Sequence, residues 1–320
     1  MTDDGPIYCV LNPNARGFKR MKRRAERLAK KLGGIVIITP KNLGEAAQRV
    51  FDIVRTRKQA RIISVSGDGG LRVVCEAALK GKQVSPGSTP IVAAAACGTA
   101  NNHAQVVQRG GRLRRVVRVM LASQKFEPLD MIRVDVSLPA GDAMTFYAHS
   151  DVGIGYMVEV LDEIDTKRPG ILGQVWLFIQ AILRVPSAFR MEGQKPLISW
   201  SVHNIRRTVK VFDVAPNASI DSGELECLAI PNTRHNRQQM LRILAKALLQ
   251  RPVPYRLTRH LFRPMTQSGK YWRLVIETPT KLALDGDTRL VDPDKPFVLQ
   301  PGTIVEITCE AGALDTLAAA

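Results

Sequence analysis

The sequence predicts an α/β + β protein, with a Rossmann-like parallel sheet in its N-terminal domain and a mostly antiparallel C-terminal domain. Up to about residue 120, short apolar runs alternate with segments of helical periodicity, which is typical of a parallel sheet with helices on both faces. From about Lys125 onward, β-rich runs follow one another, separated by turn signals such as Asp285-Gly286. A chain of 320 residues can bury two cores, and we expect domains at 1–124 and 125–320.

The N-terminal elements follow from the apolar runs and the turn residues between them. In chain order we expect a strand at Ile7–Leu11, a turn at Asn12–Gly17, a basic helix, a strand at Ile35–Ile38 ending at Thr39, a helix at about Leu43–Val54, and two further strands that each end in a glycine loop. In such sheets ligands lie beyond the carboxyl ends of the strands. All four loops that carry small polar residues follow strands, so they are expected at one edge.

Two glycine-rich loops are the most informative part of the chain. Ser66–Leu71 follows the apolar run Arg61–Ile63 and leads into a helical segment, and Gly98–Asn102 follows the apolar run Ile91–Ala96. A strand that ends in such a loop before a helix can present backbone N–H groups to phosphate. Two of these units in succession predict a nucleotide cleft.

The C-terminal domain is expected to combine antiparallel strands, such as Ile132–Val136 and Val209–Val214, with three helices. The expected helices are Gly155–Ile164, Ile171–Phe189 and Gln238–Leu249, and the tail Gly312–Ala320 is expected to fray. The second of these helices is unusually apolar. A buried core helix and a lipid-facing element both explain that composition.

The formal charge of +17 predicts a polyanionic partner or surface. Its densest cluster lies between Arg16 and Lys31, where apolar residues at helical spacing make the cations the wet face of an amphipathic helix. A solvated face, docking on anionic lipid headgroups and nucleic-acid binding are the three interpretations. Because no aromatic interleaving, zinc finger or RNA-stacking motif supports nucleic-acid binding, we expect an anionic membrane surface and no nucleic acid.

The cysteines, the histidines and the N-terminal residues argue against a disulfide-stabilised, a zinc-binding and a secreted protein. The five cysteines mostly lie in apolar runs, which predicts buried free thiols, and the scattered histidines offer no zinc pair. Residues 1–6 lack a signal peptide and no apolar run is long enough to span a bilayer. We expect a cytoplasmic protein that is peripheral at the inner membrane surface; a homodimer remains open.

The motifs, in their order, resemble the diacylglycerol kinase catalytic-domain family, which includes bacterial soluble lipid kinases and eukaryotic sphingosine and ceramide kinases. The resemblance is strongest between Ile7 and Gln108. The matching segments are Val10–Gly17, Ser66–Gly70 (the family Gly-Gly-Asp-Gly-Thr loop), Gly98–Asn102 (Gly-Thr-Ala-Asn-Asp), Leu129-Asp130, Asp221–Leu225 and Leu284–Asp287 (Leu-Asp-Gly-Glu).

The resemblance implies an α/β nucleotide domain followed by a β-sandwich domain, and ATP-dependent phosphorylation of a lipid hydroxyl with Mg²⁺. Diacylglycerol is the leading acceptor, and a sphingoid base or ceramide is close behind because the loop reads Ser-Gly-Asp-Gly-Gly. The nucleotide contacts expected are Asn12, Thr39, Ser66, Gly67, Asp68, Gly69, Gly70, Leu71, Gly98, Thr99 and Asn101.

Two acids compete for the role of catalytic base. By resemblance, bacterial members use the late acid, here Asp285, whereas sphingosine-kinase-like members use the acid of the glycine loop, here Asp68. We favour Asp285 as the base and assign Asp68 to a metal or phosphate network. Asp221 and Ser222 are either a Mg²⁺ site or ordinary turn residues.

The chain also departs from the family pattern. Gly70 replaces a Thr and Ser66 a Gly, while Asn102, Ser222 and Asp287 replace acids that the family carries as Asp, Asp and Glu. Two alternatives therefore stay open beside the lipid kinase: an NAD-kinase-like enzyme with a soluble acceptor, and a catalytically silent nucleotide- or lipid-binding regulator.

Overall fold

The computed structural model describes residues 5–15, 17–97, 103–104, 111–123, 125–155, 158–159, 162–163, 176, 180, 189–193, 195–208, 212–213, 215, 217–233, 236, 267–292 and 294–317. The chain divides into two compact units, of which one comprises Met1–Met131 with Glu310–Ala320 and the other Ile132–Cys309. The first unit extends to Met131, and the segment from Glu310 onward returns to it.

Unit 1 alternates strands and helices as the sequence predicts. Its elements are β1 (Ile7–Leu11), α1 (Phe18–Leu32), β2 (Ile35–Ile38), α2 (Leu43–Thr56), β3 (Gln59–Ser66), α3 (Asp68–Val84), β4 (Thr89–Ala96), α4 (Leu113–Ala122) and the start of β5 (Phe126–Ser137). The sheet order β2-β1-β3-β4 is parallel throughout. This confirms the Rossmann-like parallel sheet.

The core of unit 1 explains why its strands are apolar along their whole length. Every residue from Ala60 to Ser66 in β3 is buried, because helices cover both faces of a parallel sheet. Helix α1 turns Met21 and Ala25 to this core. Its basic residues Lys19, Arg20, Arg23, Arg24, Arg27, Lys30 and Lys31 are exposed. The amphipathic basic helix is therefore confirmed.

The C-terminal end of the chain is a strand of the first sheet, so the expectation that it frays is wrong for Gly312–Leu317. Strand β16 (Ile304–Leu317) pairs in parallel with β4 at Asp315 and Ile91. The buried hydroxyl of Thr316 donates to the Val92 carbonyl at 2.7 Å. The small residues of this segment are compatible with a strand beside β4. Composition alone does not predict that pairing.

Unit 2 is a β-sandwich of antiparallel strands. Its strands are the rest of β5, β6 (Ala143–Ala148), β7 (Asp151–Gly155), β8 (Leu197–His203), β9 (Arg207–Thr208), β10 (Phe212–Asp213), β11 (Leu225–Pro231), β12 (Gln267–Gly269), β13 (Tyr271–Val275), β14 (Thr280–Leu284), β15 (Val298–Leu299) and the first part of β16. One sheet has the order β12-β11-β8-β7-β14-β15. The other side pairs β5 with β6 and β13 with β16.

One hydrophobic cluster fills the space between these two sheets. It combines Ile132, Val134 and Ile307 from one side with Trp200, Val202 and Leu284 from the other. Alternating inward residues of facing sheets are what such a core requires. The β-sandwich expected from the family resemblance is confirmed.

All five cysteines are buried free thiols, as predicted. Burial raises the pKa of the Cys9 and Cys227 thiols to about 12.

Most of the expected C-terminal helices lie outside the described residues. Val158 and Asp162 are helical within the first, and Trp176 within the second, while Gln238–Leu249 and most of the expected strand Val209–Val214 are not described. No helix among the residues that the structure describes is long and apolar enough to cross a membrane.

We expect Thr316→Val to lower the free energy of unfolding by about 1 kcal/mol, because it removes a buried hydrogen bond between β16 and β4. Urea unfolding measures the change. Thr89→Val is the matched control, since its hydroxyl makes the same kind of bond, to the Lys58 carbonyl, at an exposed position. Equal losses in both variants would contradict a stabilising role of the returning strand.

Candidate active site

The first loop follows β1 and begins at Asn12. The Asn12 N–H donates to the Val65 carbonyl at 3.2 Å, which places the loop beside the end of β3. The side-chain oxygen of Asn12 accepts the Asn14 N–H at 2.9 Å. Its amide nitrogen lies 3.0 Å from where a Cβ at Gly70 would be. Asn12 therefore contacts the glycine loop, as the sequence predicts for two nucleotide loops at one sheet edge.

Helix α3 begins immediately after β3, with only Gly67 between them. Gly67 is the N-cap in extended conformation, and Asp68 is the first helical residue. The first N–H groups of a helix have no intrahelical acceptor, and the helix dipole makes this end positive. The backbone from Gly67 to Gly70 can therefore bind an anionic phosphate group.

The residues around Gly70 leave no room for a side chain at this position. A Cβ at this position would lie 2.7 Å from the Cβ of Ser66 and 3.0 Å from its hydroxyl oxygen. The Ser66 hydroxyl is itself fixed by the Ser64 hydroxyl at 2.7 Å and the Gly67 carbonyl at 2.9 Å. Ser66 thus occupies the space that a larger residue 70 would need. The two departures from the family loop are sterically linked.

Asp68 links the glycine loop to the segment after the second loop. Its carboxylate is buried and accepts the His103 N–H at 3.3 Å. The Cys97 N–H donates to the Ser66 carbonyl at 2.9 Å, so the second loop also starts beside the first. Gly98, Thr99 and Asn101 lie outside the described residues. The geometry gives Asp68 a positioning contact to backbone.

Two other expected nucleotide contacts differ from each other. Thr39 is exposed directly after β2, where its hydroxyl is accessible. Leu71 is buried, and its N–H donates to the Gly67 carbonyl within α3. Leu71 therefore offers a ligand neither its side chain nor its N–H, and its role is to pack α3.

Asp285, in unit 2, is a buried acid held by backbone donors. Its carboxylate accepts the N–H groups of His149, Ser150 and Asp151 at 3.1, 2.7 and 3.1 Å. The side chain has no exposed surface, and the residue adopts a positive φ of 52°. Only a few residue types, among them Asp, adopt this conformation readily. Asp285 closes the turn after β14.

His149 and Ser150 complete this buried network. The His149 Nε2 atom lies 3.4 Å from the Asp285 carboxylate, and its Nδ1 atom lies 2.6 Å from the Ser150 hydroxyl. The Asn204 side-chain amide donates to the His149 carbonyl at 3.2 Å. Sequence reasoning missed this set, because no motif connects residues 149–150 with residue 285.

Asp287 is the accessible acid of the same turn. It is partly exposed, and its carboxylate accepts the Arg289 N–H at 3.0 Å. Its backbone pairs with that of Leu284 in both directions. The turn therefore presents Asp287, whereas Asp285 faces the interior.

The proposed Mg²⁺ residues lie in an exposed turn that is closed by its own hydrogen bonds. The Ser219 hydroxyl donates to the Asp221 carboxylate, and the Ser222 hydroxyl contacts the Glu224 carbonyl at 2.9 Å. Within the described ranges, no group of three or more His, Cys, Asp or Glu side chains could hold a metal. These residues alone do not fit a Mg²⁺ site. Asp130 is likewise structural, because it accepts the Gly312 N–H at 2.8 Å.

The structure shows an α/β unit and a β-sandwich unit, and in the first unit a helix begins directly at the end of a parallel strand. Residues 6–134 match the family model of the diacylglycerol kinase catalytic domain. This match confirms the resemblance drawn from its motifs over that part of the chain. Comparison with curated protein sequences gives no match.

Solved structures share this fold at low sequence identity. A diacylglycerol kinase from Bacillus anthracis str. Sterne has a TM-score of 0.64 and 13% identity, with 99% of this chain and 98% of that chain covered. Yeast NADH kinase, crystallised with NADH, has a TM-score of 0.50 and 13% identity, with 98% and 82% covered. At these identities the likeness concerns the fold.

We expect Gly70→Thr to lower the free energy of unfolding by about 1–3 kcal/mol, because its Cβ would overlap Ser66. Ser66→Gly removes that obstacle, so the double variant Ser66→Gly/Gly70→Thr regains most of the loss. Chemical denaturation of the two single variants and the double variant gives the coupling free energy.

Gly87→Thr is the control for replacing a glycine, since nothing lies within 4 Å of its Cβ position. Additive effects at residues 66 and 70 would contradict the steric link between them.

Proposed function

We propose that the protein is an ATP-dependent lipid kinase that transfers the γ-phosphoryl group to the hydroxyl of a lipid. The observation that carries the proposal is the start of α3 at Gly67–Asp68, in the part of the chain that matches the diacylglycerol kinase catalytic domain. Phosphoryl transfer depends mainly on positioning and on electrostatic stabilisation of the phosphates. A positive helix end at the carboxyl edge of a parallel sheet is suited to both.

In this proposal unit 1 binds ATP. The N–H groups of Gly69 and Gly70 contact phosphate oxygens at the positive N-terminal end of α3. Asn12 and Thr39 supply hydrogen bonds from neighbouring strand ends. Asp68 keeps the second loop in position through the His103 N–H.

The acid that accepts the alcohol proton is better assigned to Asp287 than to Asp285. The carboxylate of Asp285 accepts three backbone N–H groups and has no exposed side-chain surface. Asp287, by contrast, is partly exposed. A base must reach the proton that it removes. We therefore assign Asp285 to positioning the turn. Mg²⁺ would neutralise phosphate charge when bound.

The acceptor is proposed to reach the enzyme from an anionic membrane surface. The exposed cations of α1 support this, because each Lys or Arg near such a surface contributes about 1 kcal/mol of attraction. Diacylglycerol remains the first candidate acceptor, and a sphingoid base or ceramide the second. Cytoplasmic and peripheral membrane location are parts of the same proposal.

An NAD-kinase-like activity on a soluble acceptor is the second candidate function. The fold shared with yeast NADH kinase favours it. A silent nucleotide- or lipid-binding regulator is the third, favoured by the missing carboxylates at residues 102 and 222.

One assay separates these functions. The protein is incubated with labelled ATP, Mg²⁺ and anionic mixed micelles that contain diacylglycerol, monoacylglycerol, sphingosine or ceramide, with NAD as the soluble acceptor. We expect label in a lipid. Label in NAD alone would support the second candidate, and ATP binding with no labelled product would support the third.

We expect Asp287→Asn to lower kcat by about 100-fold or more without changing the melting temperature, because it removes a general base. Asp285→Asn is expected to lower the unfolding free energy by about 1–3 kcal/mol, because its amide cannot accept all the backbone donors. Steady-state kinetics and thermal melting measure both. Asp142→Asn, at an exposed hairpin position, is the control. Full activity of Asp287→Asn would refute the assignment.

A further inference from the structure

A row of polar side chains crosses three strands of unit 2 on one face of the sheet. Glu226 on β11 is the register partner of His203 on β8, and His203 is the partner of Asp151 on β7. Register partners in an antiparallel sheet point to the same face, with Cβ atoms about 5 Å apart. The next row, with Val202 and Val152, faces the hydrophobic core. The polar row therefore lies on the face opposite to the core.

Two atoms in this row lack the partner that burial demands. Glu226 is 2% exposed and His203 is 5% exposed. The Oε1 atom of Glu226 and the Nδ1 atom of His203 have no hydrogen-bond partner within the part of the chain that the structure describes. Buried polar atoms are almost always hydrogen-bonded, so each such atom requires an explanation.

The other polar atom of each side chain is anchored. The Oε2 atom of Glu226 accepts the Asn217 N–H at 2.9 Å. The Nε2 atom of His203 lies 2.8 Å from the Ser201 hydroxyl. Both side chains are thus held in place while one atom of each is left to bind something else. A ligand site is built in this way, with oriented groups and unsatisfied atoms.

The charges of the row disfavour an anionic ligand. Burial lowers the pKa of His203 to about 4, so its ring is neutral at neutral pH. Burial also raises the pKa of Glu226, against the lowering effect of the Asn217 and Ala218 N–H groups and of the Asn217 side chain. A phosphate or other anion would find no cation on these two residues, and Asp151 adds a further acid to the row. Hydroxyl, ester and amide groups can exchange hydrogen bonds with Glu226 and His203.

The row ends at the turn that carries the candidate base. The Asp285 N–H donates to the Asp151 carbonyl at 2.9 Å, and Leu284 is the register partner of Val152. His203 is two strands from β14, which corresponds to about 10 Å at the usual strand spacing. A head group of modest length therefore reaches from the row to the turn.

We propose that Glu226 and His203 bind the polar head group of a lipid alcohol that carries no anionic group, through head-group atoms other than the hydroxyl that is phosphorylated. The inference rests on the proposed lipid kinase function and deepens it, because it assigns the head-group contacts of the acceptor to these two residues and excludes anionic acceptors.

Apolar substitutions test the site by removing the two atoms proposed to contact the ligand; they also remove the hydrogen bonds to Asn217 and Ser201, so the KM for ATP and the melting temperature are measured beside the acceptor KM. We expect Glu226→Leu and His203→Phe to raise the KM for diacylglycerol by about tenfold and leave the KM for ATP unchanged, as the loss of a buried ligand contact predicts. Glu226→Gln retains hydrogen-bonding capacity and is expected to recover most of the affinity. Glu277→Leu, at an exposed position of the same unit, is the control. Melting temperatures verify that each variant is folded.

An unchanged acceptor KM in Glu226→Leu and His203→Phe would overturn the proposal, as would a preference for an anionic lipid acceptor over diacylglycerol. A structural role alone would alter the melting temperature and both KM values together.

A second measurement uses the unaltered protein. It tests the site even if the variants do not fold or the protein has no kinase activity. Diacylglycerol with a photoreactive diazirine beside its head group is irradiated with the protein in micelles, and the adducts are mapped by mass spectrometry. Adducts in residues 199–204 or 225–231 support the site, and adducts confined to other segments overturn it. If no lipid is phosphorylated, the proposed function fails, and this map still decides the head-group site.

Discussion

The direct passage from β3 into α3 is the constraint on which the candidate nucleotide site depends. Only Gly67 separates the strand from the helix, so the positive end of α3 lies at the carboxyl edge of the sheet. The space there is filled by Ser66 and Asn12, which leave no room for a Cβ at Gly70. Packing thus requires glycine at residue 70, in the first turn of the helix whose positive end is proposed to bind phosphate.

The turn after β14 in unit 2 is also held by a residue of its own. The buried carboxylate of Asp285 accepts three backbone N–H groups, and the residue adopts a positive φ. The neighbouring acid of this turn, Asp287, is partly exposed. In both units the residue that looks most reactive in the sequence is used to hold backbone. Asp68 does so through the His103 N–H.

The sequence predicts the fold well because its periodicities are strong. Apolar strands that end in small polar loops indicated the parallel sheet, and alternating runs indicated the antiparallel domain. Sequence reasoning failed where a role depends on a distant partner. The fate of Gly312–Leu317 depends on pairing with β4, and the contrast between Asp285 and Asp287 depends on residues 149–151. The polar row of Glu226 and His203 is invisible for the same reason, since only strand register brings these residues together.

Calorimetric titration of the protein with ATP and with adenosine tests the central claim most directly. If the N-terminus of α3 binds the phosphates, the affinity for ATP is at least about 100-fold higher than that for adenosine. Added salt then weakens the binding of ATP but not of adenosine. Equal affinities for ATP and adenosine, or no binding of ATP, would contradict the account.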